Sequence, residues 1–265
     1  MEMCTNADCP NWGKLVVDAN VVRYVLGGTI DMVGRRYVDK SWSQKLQYVK
    51  ADLKTNLEII RRCSCDNQLY ISDPVLSEEL NVANLKDGAH PPDLSQSVYS
   101  TRDVTTLRQV VLGCVCVPTS TTDSEITELR SLLKNHGSDL ADRDASLILV
   151  ASKLSQCGIP VIIISEDPDF TEPWQILAEL GNFSLRGITY RTDKLMLRSY
   201  ADFITLSHEC CTCSSDKYSA LLNAWLLSII LRHITSLNQE SRTSLARRVT
   251  RAIRVKDVSI ANKPK

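Results

Sequence analysis

Acidic side chains at the ends of apolar runs are the residues of this sequence best placed to do chemistry. Asp18 closes the run at residues 15–17, Glu78 and Glu79 lie shortly beyond residues 69–71, and Asp142 and Asp144 head the apolar stretch 147–151. Asp167 and Asp169 follow the run at residues 161–165. Four or more carboxylates drawn into one crevice repel one another, which makes physical sense with divalent cations between them. Oxygen-only ligation selects Mg2+ or Mn2+ over zinc. One or two such ions lower the pKa of a bound water and stabilise charge on a phosphate under in-line attack. Other chemistries lack their patterns. There is no G-x-S-x-G, no Walker A loop and no G-x-G-x-x-G, and none of the four histidines sits in a nucleophile–base setting.

Such acids need a scaffold that gathers strand ends. Residues 15–17, 69–71 and 114–117 read as short buried strands, and the β-branched run 161–165 as a central parallel strand. Helical patterning covers residues 21–26, stopped by Gly27 and Gly28, and then 45–62. It returns at 73–80, with Pro74 at a tolerated early position, and at 105–111, 123–135 (capped near Thr122) and 139–155. Residues 81–102, with Pro91-Pro92 and scattered serines, read as a long mobile loop. Strand–helix alternation predicts an α/β fold with a mainly parallel central sheet, whose strand ends face one crevice. After residue 170 the pattern loosens. A helix at 174–180 and a strand at 188–190 precede an apolar helix at 220–234 and an amphipathic helix at 243–254. The latter carries Arg247, Arg251 and Arg254 opposite Leu245, Val249 and Ile253.

The order and context of the acids resemble a known family. Residues 15–22, apolar up to Asp18 and then Asn20, resemble the opening strand of PIN-domain nucleases. Residues 71–78, with Glu78 six positions beyond Ser72, resemble that family's second motif. Asp144 heading an apolar helix is similar to the third motif, and Ser165-Glu166-Asp167 after a strand is similar to the fourth. The resemblance implies a Rossmann-like α/β/α sandwich over residues 14–170 and metal-dependent endonuclease activity, usually on RNA. It makes Asp18, Glu78, Asp144 and Asp167 the ligands of Mg2+ or Mn2+ or their direct support, with Asp169 a further acid. Asn20 would orient Asp18 or a metal-bound water. Glu79 rivals Glu78, and Asp142 rivals Asp144. Each acid also has a structural use: Asp18 as a helix N-cap, Asp142 as a favourable first-turn charge, Asp169 as a turn residue beside Pro168. Two other functions fit the pattern: a catalytically silent PIN-like scaffold or RNA-binding subunit, and a nuclease acting on single-stranded or structured DNA.

Charge separates along the chain. The total is neutral, with 31 Lys plus Arg against 31 Asp plus Glu. Residues 1–170 carry 17 basic and 23 acidic side chains, and residues 171–265 carry 14 and 8. A basic C-terminal extension of 171–265 therefore follows an acidic body, and single-stranded RNA is the expected polyanionic partner. The extension offers room for a protein partner, and the apolar stripe of 220–234 for a homodimer. No apolar run reaches the roughly 18 residues of a membrane span, and the start is polar, so an intracellular, cytoplasmic protein without a signal peptide is expected. Of the ten cysteines, Cys114 and Cys116 read as core. Cys4/Cys9, Cys63/Cys65 and the group His208, Cys210, Cys211 and Cys213 have spacings compatible with zinc. Free thiols are the expected state, with a structural Zn2+ at the last group as the alternative.

Overall fold

In the computed structural model of the chain, residues 13–88, 100–118, 121–200 and 202–203 are described. The first apolar run forms strand β1 (Lys14–Val17), in which Leu15, Val16 and Val17 are fully buried. Then follow helices α1 (Ala19–Arg36) and α2 (Trp42–Arg62), strand β2 (Leu69–Tyr70) and a π-helical turn (Val75–Glu79). Helices α3 (Val82–Gly88), α4 (Thr101–Leu112), α5 (Asp123–Asn135) and α6 (Asp142–Ser155) lead to strand β3 (Val161–Ile164). Helix α7 (Thr171–Leu180) and strands β4 (Asn182–Leu185), β5 (Ile188–Arg191) and β6 (Leu195–Arg198) complete the described chain.

The central sheet has the order β2–β1–β3–β6 and is parallel throughout. Parallel neighbours need crossover connections, and helices supply them. β1 pairs with β2 in register Leu15 to Leu69 and with β3 in register Val17 to Ile164. The chain thus leaves β1 toward one side and returns to its other side. That makes the gap between the carboxyl ends of β1 and β3 the topological switch point. The four residues of β3 are all buried, as the β-branched run predicts for a strand covered on both faces. Helix α6 packs on β1, β3 and β6, with every residue of 145–152 buried, which explains its nearly unbroken apolar sequence. Three other helices begin with reciprocal capping boxes: Ser41 with Gln44, Ser100 with Asp103, and Thr122 with Glu125. Each contributes about 1 kcal/mol and fixes where its helix starts.

Several expectations are corrected. Helix α1 does not stop at Gly27-Gly28 but runs on to Arg36, with both glycines buried. A helical glycine costs about 1 kcal/mol relative to alanine. Burial of Val25, Leu26, Ile30 and Val33, at roughly 1.5–3 kcal/mol per large apolar side chain, outweighs it. An Asn56-to-Thr29 hydrogen bond of 3.0 Å pins α2 to the continued helix. The strand expected at 114–117 is reduced to one parallel bridge, Cys116 to Tyr70, at the outer edge of β2. The loop expected over 81–102 contains α3, and residues 89–99 lie outside the described residues. The helix expected from residue 139 begins at Asp142. Beyond residue 170 the sheet gains one more strand, as β6 pairs along β3 from Val161–Leu195 to Ile164–Arg198. Beside it, β4 and β5 form a hairpin around Arg186 and Gly187, both left-handed (φ 51° and 78°) as a tight two-residue turn requires. The helices expected at 220–234 and 243–254, together with Cys4, Cys9 and the His208–Cys213 group, lie outside the described residues. No described helix is long and apolar enough to cross a membrane.

Gly13 enters β1 with φ +88°, and a Cβ there would lie 2.0 Å from the Pro160 carbonyl oxygen. Gly137 has the same φ of +88° with open space around it. Gly13→Ala should therefore lower unfolding free energy by about 3 kcal/mol or more, and Gly137→Ala by only about 1 kcal/mol. Urea denaturation of the two variants checks this; equal midpoints would refute the close approach of Gly13 to Pro160.

Candidate active site

The register of β1 against β3 builds the site. The Asp18 N–H donates to the Ile164 carbonyl (3.0 Å), continuing the ladder one step beyond the strand, so Asp18 lies beside Ser165. Asp18 occupies the N-cap position of α1 but makes no side-chain capping bond. Its Oδ2 accepts instead from Ser165 Oγ at 2.7 Å and from Asn20 Nδ2 at 3.2 Å. Only 2% exposed, this carboxyl is fixed from the strand side and from the first turn of the helix. The N-cap explanation for the residue is therefore not the one realised.

Ser165 orders the next acid too. The Asp167 N–H donates to Ser165 Oγ (3.0 Å), and Asp167 Oδ1 accepts from the Asp169 N–H (2.9 Å) at the start of a single 3-10 turn. Asp169 is exposed, and it reaches the cluster through its charge on Asp167. Asp144 comes from the first turn of α6, which has no side-chain cap. A buried hydroxyl pair, Ser146 Oγ to Ser72 Oγ at 2.7 Å, ties that turn to the segment after β2. Asp142 points elsewhere: it is exposed and pairs with Arg130. Of the two rivals, Asp144 is the one in the cluster.

Of Glu78 and Glu79, it is Glu79 that the structure brings to the other acids. Glu79, 13% exposed, acts electrostatically on both Asp18 and Asp144. Glu78 is exposed, and the contacts made there are of its carbonyl oxygen, with the Asn81 and Asn84 side-chain amides. The π-turn explains the shift. Its closing bond, Leu80 N–H to Val75 O, spans five residues, so the turn holds about one residue more than an α-turn. Residue 79 then faces the way residue 78 would face on a regular helix.

The cluster is electrostatically tense. Burial pushes the Asp18 carboxyl up to about 6; the Ser165 hydrogen bond opposes this, and the charges of Glu79 and Asp167 reinforce it. Burial likewise raises Asp144 to about 7, helped by the charges of Asp18, Asp167 and Glu79 and partly offset by Arg143. Asp167 is raised by burial and by Asp169, against the hydrogen bond from the Asp169 N–H. Positive charge within the cluster comes from two arginines. Arg143 Nε lies 3.1 Å from Glu79 Oε1, and Arg23 Nη1 lies 3.8 Å from Glu79 Oε2. Arg23 Nη2 also donates to the Glu79 carbonyl at 2.9 Å.

Asp18, Glu79, Asp144 and Asp167 carry only oxygen donors, the atoms hard divalent cations prefer. In the arrangement seen, no group of three or more His, Cys, Asp or Glu among the described residues stands so that it could hold a metal ion. Cys63, Cys65, Cys114, Cys116 and Cys157 are free thiols, and none belongs to such a group. The sequence pattern does not single out Arg23, Arg143 or Ser146, and it marks Ser72 only as the position from which Glu78 is counted. Ser165 was visible only as part of its Ser-x-Asp pattern. Arg23 is spaced one helical turn from Asn20, and Arg143 adjoins Asp144, which are the signals available for them. Comparison of the chain with protein-family models, curated proteins and solved structures returns no match.

The raised carboxyls set a pH dependence. Asp144 titrates near 3.9 in an unfolded chain and at about 7 in the fold, so the folded state keeps a proton that the unfolded state has lost. Its contribution is most favourable below about pH 4 and declines as pH rises to about 7. Without divalent cations, Asp144→Asn should match the wild-type melting temperature near pH 4 and exceed it progressively toward pH 8. Thermal denaturation across that range checks this; parallel curves would contradict it.

Proposed function

We propose that the chain is a PIN-like, Mg2+- or Mn2+-dependent endoribonuclease whose acid set is Asp18, Glu79, Asp144 and Asp167. The observation that carries this reading is their placement together at the switch point of a parallel sheet, where α/β folds bind their ligands. Parallel strand–crossover–strand units are right-handed. On that rule the β1-to-β2 crossover and the β2-to-β3 return, which run in opposite directions across the sheet, would carry α1–α2 and α6 to opposite faces, which supports the layering of an α/β/α sandwich. A bound Mg2+ or Mn2+ would supply a water of lowered pKa and charge neutralisation at the scissile phosphate.

The chain's own residues supply the rest. Ser165 and Asn20 hold one oxygen of Asp18 in place, so that carboxylate is oriented before any ligand arrives. Asp144, with its carboxyl at about 7, gives up its proton most readily at neutral to alkaline pH, and the cluster gains charge there. The basic residues of 171–265 would hold the RNA backbone at a distance from the acids. A second reading, a catalytically silent scaffold, is favoured by one observation: both carboxylate oxygens of Glu79 face arginines.

Cleavage of a labelled single-stranded RNA in Mn2+ separates these readings. Asp18→Asn and Asp144→Asn should each reduce the rate by about a hundredfold or more, with circular dichroism unchanged. Glu79→Gln should fall with them, while Glu78→Gln stays within about threefold of wild type. A wild-type rate in both aspartate variants would refute the site. No cleavage by the wild-type chain of RNA, or of a matched DNA strand, would leave the scaffold; cleavage of the DNA alone would make the chain a deoxyribonuclease.

A further inference from the structure

Tyr37 and Tyr48 stack where the end of α1 meets α2, with ring centroids 4.1 Å apart and planes inclined by 14°. Tyr37 packs against the core, whereas Tyr48 is 40% exposed, so an outer ring open to water rests on a fixed inner one. The backbone beneath is held: the Lys40 N–H donates to the Tyr37 carbonyl (3.1 Å), and the Ser41–Gln44 capping box sets the start of α2. Val38, next to Tyr37 in the chain, is 71% exposed. Charge at this corner runs against that of the body. Residues 36–50 carry four basic side chains and one acid, Asp39, within a stretch 1–170 that is acidic as a whole. Lys45 lies one turn before Tyr48 on α2 and so shares its face, and Lys40 is exposed in the link between the helices. Arg36 pairs with Asp52 across the same seam at 3.8 Å, both side chains being exposed, and such a pair opens at little cost.

We infer that this corner is a binding surface for single-stranded nucleic acid, with a base stacked on Tyr48 and the adjoining phosphates held by Arg36, Lys40 and Lys45. Aromatic rings among basic side chains hold single strands without reading their sequence, because every base has a face to stack and every nucleotide a charge to neutralise. A second copy of the chain suits the surface less well. A two-fold contact would set the same basic patch against itself, and like charges would repel. The surface is separate from the acid cluster. Helix α1 starts beside Asp18, and Tyr37 follows its last residue, 18 residues or about 27 Å of helix away. The inference therefore goes beyond the proposed activity: it needs neither a metal ion at the acids nor cleavage of the strand.

The test is fluorescence anisotropy on the full chain in EDTA, with a labelled single-stranded RNA of about 12 nucleotides, within the footprint of such sites. Tyr48→Ala should weaken binding about tenfold, and Tyr48→Phe, which keeps the ring, should stay within about twofold of wild type. The double variant Lys40→Gln/Lys45→Gln leaves the stack alone. It should bind more weakly and lower the slope of log affinity against log salt by about 1.4, the share of two phosphate contacts on a single strand. An abasic strand of the same length has phosphates but nothing to stack, so wild type and Tyr48→Ala should bind it alike. Tyr48→Ala equal to wild type on the RNA, or weaker by the same factor on the abasic strand, overturns the stacking role. An unchanged salt slope in the lysine variant overturns the phosphate contacts. No binding of the RNA by wild type overturns the surface altogether. A wild type that sediments as a dimer while Tyr48→Ala sediments as a monomer overturns it too, and gives the corner to a second copy. Binding through Tyr48 by a chain that cleaves nothing in Mn2+ removes the nuclease reading alone. Cleavage in Mn2+ with Tyr48→Ala binding as wild type removes this inference alone.

Discussion

Like charge held out of water at the carboxyl ends of β1 and β3 is the constraint on which this structure turns. Asp18 is nearly inaccessible, and Glu79 and Asp167 bear on it. Raising its carboxyl to about 6 makes the ionised form less favourable than in the unfolded chain by on the order of 3 kcal/mol. A domain has only about 5–15 kcal/mol of net stability, so a cost of that size is a large fraction of it. Desolvated acids near neutrality, grouped in a crevice, are a recognised sign of function.

The rest of the fold keeps those acids close despite their repulsion. Backbone register does the first part, because the β1–β3 ladder continues through the Asp18 N–H and leaves that side chain no choice of neighbour. Small hydroxyls do the second. Ser165 accepts from the Asp167 N–H while donating to Asp18, so one side chain fixes two acids. The Ser72–Ser146 pair locks the head of α6 against the segment after β2, and Asp144 rides on that turn. The buried face of α6 then supplies the packing that anchors the arrangement. The arginines act last, as counter-charges paired with Glu79, and Arg143 also eases Asp144.

Much of this was legible in the sequence because local signals and tertiary roles coincide. Asp18, Asp144 and Asp167 each adjoin an apolar run that becomes a buried strand or helix, so the element's end and the acid's place are read together. Glu78 shows where such reading fails. Its spacing from Ser72 presumes a regular helix, and one inserted residue in a π-turn turns Glu79 inward instead. Gly27 and Gly28 mislead for a different reason. Propensity alone would end the helix, but burial on either side of them decides otherwise. Strand β6 has only a Leu-Met-Leu-Arg core sequence, with no β-branched residue, and its pairing along β3 is a long-range choice that no local pattern carries. Arg23 and Arg143 were unreadable because their partner lies on a turn whose register the sequence did not reveal.

The acid cluster as a divalent cation site is the central claim, and a crystal structure with Mn2+ soaked in tests it most directly. The account predicts a Mn2+ anomalous peak at the acid cluster of Asp18, Glu79 and Asp144. An absence of any peak there at saturating Mn2+ would contradict it.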